Sequence, residues 1–241
     1  MVNQKPSKPD PGEIKIRQQI FADGIRYSIL MISFAYKRLC ELLTLMSDKR
    51  GDININHFTS VFLDTWFIID ASYRLRQLLV STPGIKQNTI PIRLFLDRTN
   101  TLGNLRNYIQ HPYTSKEIDE LLRDKQPFWG SIAWFRVYDQ DKGRVCTLRA
   151  GALYKEENIP FVNPAGKTVT PPVDLIELSI GDKHISISNL MNAINDLRKE
   201  VQQQLSTKSD LTLPGTMADI FTSMDWDSSP RTTDPKLSKV P

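Results

Sequence analysis

From Glu13 to Leu45, Ile16, Ile20, Gly24 and Tyr27, then Met31, Phe34, Arg38 and Leu42, follow one another at steps of three and four with charged residues between them. That spacing predicts one long helix, with a bend expected near Gly24. Ser47 to Asp52 has turn composition. Asn56 suits the N-cap of a second helix in which Phe58, Val61, Phe62, Thr65, Trp66, Ile69, Tyr73 and Arg76 recur at helical spacing. Asp70 lies one turn before Arg74, so a surface ion pair is expected there, and Ser81-Thr82-Pro83-Gly84 ends the helix. A third helix is predicted over 91–110. Pro91 suits its first turn, Ile92, Phe95, Leu96, Leu102, Leu105 and Ile109 form its apolar side, and Gly103 weakens it locally. Ile118 to Leu122 suits a short helical turn.

The period then changes. Trp129 to Tyr138 and Arg144 to Tyr154 are rich in aromatic and β-branched residues and flank Asp139-Gln140-Asp141-Lys142-Gly143, a hairpin composition. Leu175 to Ile180 and His184 to Ser188 form a second hairpin around Gly181-Asp182, after a Pro-containing loop from Asn158 to Pro172. Ser188 suits the cap of a fourth helix carrying Leu190, Ile194, Leu197, Val201 and Leu205. The expected fold is mainly α with a β insertion (α+β). Residues 1–12 are a disordered N-terminus, 13–125 a core of three helices and 126–188 an antiparallel β insertion. Residues 189–206 supply a fourth helix, and 207–241 form a mostly disordered tail.

One stretch of that tail departs from the Ser/Thr/Pro/Asp background. Met217, Ile220, Phe221, Met224 and Trp226 are interleaved with Asp219, Asp225 and Asp227. The pattern suits a short amphipathic segment that docks into a groove on a protein partner, or one that packs on its own body.

With 241 residues, 40% of them hydrophobic and 24% charged, the chain can bury a core without disulfides or metals. Collagen-like, coiled-coil and fully disordered classes are excluded. Residues 13–125 carry 16 Lys+Arg against 12 Asp+Glu while 126–207 carry 9 of each, so the excess of +4 lies in the first half, where an anionic partner would dock. The two cysteines, Cys40 and Cys146, have no CxxC or paired histidine around them, which argues against zinc or a disulfide framework. No cofactor motif is apparent. The Lys/Pro-rich start lacks a secretory apolar region, and the longest apolar stretch, Tyr27 to Tyr36, is too short for a membrane span. A cytoplasmic protein is expected.

Three histidines narrow the search for an acid or base that works near neutral pH. His57 adjoins the start of the second helix, and His184 is expected at a strand surface or edge. His111 ends the run Leu105-Arg106-Asn107-Tyr108-Ile109-Gln110-His111-Pro112. Pro112 disfavours α geometry at residue 111, which places His111 at a helix C-terminus where imidazolium is favoured. Asn107 lies one turn back and the long Arg106 side chain reaches the same end. Such a trio suits cleavage of RNA. His111 accepts the ribose 2′-OH proton or protonates the leaving oxygen, Arg106 neutralises developing charge, and Asn107 orients them. No metal is needed, because the 2′-OH is the nucleophile. The competing reading is structural: His111 caps carbonyls and Arg106 pairs with an acid.

Here the sequence resembles the HEPN superfamily (higher eukaryotes and prokaryotes nucleotide-binding domain), through its Arg-x4–6-His motif, Arg106-Asn107-Tyr108-Ile109-Gln110-His111. Two long helices precede the motif, the second bearing Asp70-Ala71-Ser72-Tyr73-Arg74-Leu75-Arg76, and a further helix closes the bundle. The resemblance covers residues 13–111 and the helix near 189–205, and leaves the β region as an unmatched insertion. The four-residue spacer is at the short end of the family's range. Membership implies a four-helix bundle that forms a homodimer with the Arg/His motifs of both protomers in one cleft. It also implies metal-independent endoribonuclease activity that leaves a cyclic phosphate, in systems such as toxin–antitoxin, phage defence or RNA processing. Other members of the family are noncatalytic binding modules, which is the alternative reading for this chain.

Overall fold

The structure, a computed structural model, describes residues 11–48, 53–110, 119, 127–139, 142–151 and 160–207. Helix α1 runs Pro11–Asp48, α2 Ile55–Ser81, α3 Ile90–Arg98 and α4 Leu102–Gln110. Strands β1 Ser131–Asp139, β2 Lys142–Arg149, β3 Val173–Ile180 and β4 Lys183–Ser186 follow, and helix α5 Ile187–Thr207 comes last. The architecture is therefore α+β, with a four-stranded antiparallel sheet of order β2-β1-β3-β4 inserted before the closing helix. Among the described residues, no helix is long and apolar enough to cross a membrane. The turn at 49–52, the helical turn expected at 118–122 apart from residue 119, and the tail with its Met217–Trp226 segment lie outside the described residues.

Several expectations shift. Helix α1 begins two residues before Glu13 and extends through Ser47 and Asp48, the first two residues of the stretch with turn composition. Gly24 serves helix contact, since a Cβ there would lie 3.2 Å from Leu78 Cδ1. The stripe that revealed α1 is mostly its outer face. Ile16, Ile20, Met31 and Phe34 are exposed, while Ile25, Ile29, Ile32, Leu39 and Leu43 form the buried face. The cap of α2 is Asn54: its side chain accepts from the Asn56 and His57 amides, and His57 Nδ1 accepts from the Asn54 amide at 3.3 Å. The cap of α5 is likewise earlier. Ser186 Oγ accepts from the Asn189 amide, whereas Ser188 is buried with Oγ accepting from the Ile176 amide at 3.0 Å. Strand β2 stops at Arg149, and residues 152–159 lie outside the described set.

The predicted third helix breaks at Thr99-Asn100-Thr101. Thr99 Oγ1 turns back onto the Phe95 carbonyl at 2.7 Å, and the Thr101 carbonyl starts the next helix by accepting from Asn104 and Leu105. Short polar side chains that compete for backbone groups end a helix here, where the apolar pattern alone does not. Arg76 Nη1 fixes the break from α2 by donating to the Leu96 carbonyl and to Thr99 Oγ1.

One face of the sheet packs on the helices through Ile132, Trp134, Leu148, Ile176 and Leu178. Trp134 Nε1 donates to Ser47 Oγ at 2.8 Å, and Arg136 pairs with Asp48, so the end of α1 is tied to β1. The other face buries Ala133, Phe135 and Val137 under Val162 of the Pro-containing loop. A bulge opposite Trp134 places Leu175 at φ 53° on that second face.

Candidate functional site

The third predicted helix delivers its chemistry through α4, whose approach to α2 depends on Gly103. A Cβ at Gly103 would lie 3.3 Å from Tyr73 Cε2, so the glycine sets how closely the two helices meet. One turn on, Arg106 reaches α2: its Nε donates to Asp70 Oδ1 at 2.5 Å, and its guanidinium carbon lies 5.1 Å from the Tyr73 ring centroid. The other oxygen of Asp70 takes Arg74 Nε at 2.7 Å, which is the i,i+4 pair expected from the sequence.

Asp70 is thus shared by two guanidiniums, and the three charged groups retain one net positive charge. Arg106 and Asp70 are largely covered, at 26% and 29% side-chain exposure, whereas Arg74 is 67% exposed. Asn107 follows Arg106 on the exposed side of α4. His111 lies outside the described residues, directly after the last residue of α4, Gln110. Arg106 and Asn107 therefore lie mid-way along α4, about one turn before its last residue, and Arg106 has the acid partner that the structural reading anticipated. Sequence reasoning missed Asp70 as that partner, because the two residues are 36 positions apart and on different helices.

No family model matches the chain, and no curated protein and no solved structure does either.

Residues 63, 67, 70 and 74 of α2 follow steps of four, three and four, which places them on one helix face. That face joins the outer stripe of α1 in a groove of about 450 Å³ lined by Tyr27, Met31, Phe34, Leu63 and Phe67 together with Arg38 and Asp64. Arg38 pairs with both oxygens of Asp64, whose side chain is 3% exposed, and that pairing raises the Arg38 pKa. Apolar surface and the Asp70 cluster are therefore successive parts of one surface.

The other candidate centres offer little chemistry. His184 is exposed on the edge strand β4, as expected, and His57 is used in the α2 cap. Cys40 and Cys146 are free thiols. Burial pushes the Cys40 thiol up to about 11 and drives the neighbouring Tyr36 hydroxyl above its ordinary range, so Cys40 is protonated and a weak nucleophile near neutral pH.

Proposed function

We propose that this chain is a HEPN-like endoribonuclease that works as a two-fold dimer without a metal. The observation that carries the reading is the shared Asp70. It holds the Arg106 guanidinium in place while the cluster keeps a net positive charge, on the helix that carries the exposed Asn107 and about one turn before the helix end that His111 follows. In the reaction, the ribose 2′-oxygen bonds to the adjacent phosphorus and the bond from phosphorus to the 5′-oxygen breaks. The products are a 2′,3′-cyclic phosphate and a 5′-hydroxyl. His111 takes the 2′-OH proton or supplies the proton to the leaving oxygen, Arg106 stabilises charge on the phosphoryl oxygens, and Asn107 orients the trio.

The exposed α1–α2 face supports the dimer. Phe34 and Leu63 are 63% and 61% exposed, more apolar surface than an isolated bundle benefits from. A two-fold contact centred there, with its axis along α2, would bring Asp70, Arg74 and Arg106 of both protomers toward the same side. Leu63→Asp is expected to give a monomer in analytical ultracentrifugation and to lower RNA cleavage with it; a wild-type chain that sediments as a monomer at micromolar concentration refutes the dimer.

A second reading, a noncatalytic interaction module of the same fold, is favoured by one observation: Arg106 already has a carboxylate partner. The two readings separate on RNA. The ribonuclease cleaves in EDTA and loses activity as His111→Ala, whereas the binding module cleaves in neither form.

A further inference from the structure

A cavity of about 260 Å³ lies between α1 and α5, floored by Ile25, Ile29 and Val201 and rimmed by Leu30, Arg26 and Arg198. The floor residues are 5% exposed or less, while Leu30 is 43% exposed. Arginines stand on both walls, Arg26 on α1 and Arg198 on α5. Arg26 pairs with Asp23 at 2.9 Å and lies over the Tyr27 ring, and Arg198 is exposed. The site is thus an apolar slot with a guanidinium on each wall, the one on α1 shared with Asp23 and the one on α5 exposed.

We propose that the slot is filled by the chain's own tail, with Trp226 entering it and Asp225 and Asp227 meeting Arg198 and Arg26. Three observations on the chain select this occupant. The first is where the described chain ends. Tyr36 bonds to Ser188 near the start of α5, and Val201 shares the slot with Ala22 and Ile25, so α5 runs antiparallel to α1 and delivers the chain to the slot's end of the bundle.

The second is reach. From Val201 to the end of α5 at Thr207 is roughly 9 Å. From there the nineteen residue steps to Trp226 span up to roughly 60 Å if extended, and more than 20 Å even if half are helical. The slot is within that radius, and a tethered segment needs little intrinsic affinity to stay bound.

The third is charge and size. Residues 211–230 contain Asp219, Asp225 and Asp227 and no Lys or Arg. Trp226 sits between two of those acids. Because both acids adjoin Trp226 in the chain, a ring entering the slot holds the two carboxylates at its rim, within reach of long arginine side chains. One large ring with two flanking carboxylates matches one apolar slot with two flanking guanidiniums.

The test is amide hydrogen exchange of the full chain across residues 22–30 and 198–204. Trp226→Ala and Arg198→Glu are each expected to speed exchange there by about tenfold. Arg198 is exposed, so its reversal leaves the core intact. Adding Asp225→Arg to Arg198→Glu, with Arg26 and Asp227 left as they are, is expected to restore protection. Exchange that is the same in wild type and Trp226→Ala overturns the proposal, and so does a charge reversal that the swap fails to restore. Protection that appears only as protein concentration rises, or only when another protein is added, assigns the slot or the segment to a different occupant and overturns it as well.

Discussion

Replacing Asp70 by Asn keeps the shape of the side chain and removes its charge from between two guanidiniums. The contact with Arg106 is charge-assisted and both side chains are about three-quarters covered, so its loss costs near the lower end of the 1.5–3 kcal/mol range for such bonds. The contact with Arg74 is far more exposed and adds about 0.3–0.5 kcal/mol. The Asn oxygen recovers part of the first bond, which leaves a net cost of about 1.5 kcal/mol. For a chain of this size that is a fall in Tm of roughly 3–6 °C. Urea denaturation with an unchanged slope, together with calorimetry, reads it directly. Without the Asp70 carboxylate the Arg106 guanidinium is no longer fixed over Tyr73, and a displaced transition-state donor costs about 10²-fold in rate. Stability within 0.3 kcal/mol of wild type would refute the claim that Asp70 holds Arg106. Normal stability loss with full RNA cleavage would refute the claim that this positioning matters for chemistry.

Two further predictions concern buried groups. Arg38→Met strands the Asp64 carboxylate, which is 3% exposed, and is expected to cost about 3–5 kcal/mol; Asp64→Asn leaves Arg38, 44% exposed, free to turn to water and costs about 1 kcal/mol. Equal losses in urea denaturation would contradict that asymmetry. Stability is also expected to fall in alkali, because the unfolded chain releases the Cys40 proton near pH 8.5 while burial in the folded chain holds it to about 11. Across that window the folded state binds more protons, so stability is lost as pH rises through it. Tyr36 acts in the same direction, and Cys40→Ala should flatten the decline in urea midpoints between pH 8.5 and 11.

Helix-forming periodicity made the order of elements legible, but α1 has two apolar stripes and spacing does not say which one meets the core. The stripe through Ile16, Ile20, Met31 and Phe34 has the more regular steps and faces outward, because α2 and α5 pack on the side of Ile25, Ile32 and Leu39. The break between α3 and α4 was hidden by apolar residues that continue in helical register across it. Thr99 and the reach of Arg76 from another helix decide that break. Ser188 looked like a cap in isolation, yet the nearby strand amide of Ile176 claims its hydroxyl. At the candidate site, adjacency in sequence gave Arg106 and Asn107. The acid that fixes Arg106 depends on how closely Gly103 lets α4 approach α2, which is a property of packing.

The most direct test incubates the full chain with a mixed RNA pool in EDTA, beside His111→Ala and Arg106→Ala, and analyses the ends of the products. Cleavage by wild type alone, leaving 2′,3′-cyclic phosphate and 5′-hydroxyl ends, is the predicted result. Equal cleavage by His111→Ala, or products with 5′-phosphate ends, would contradict the proposed chemistry.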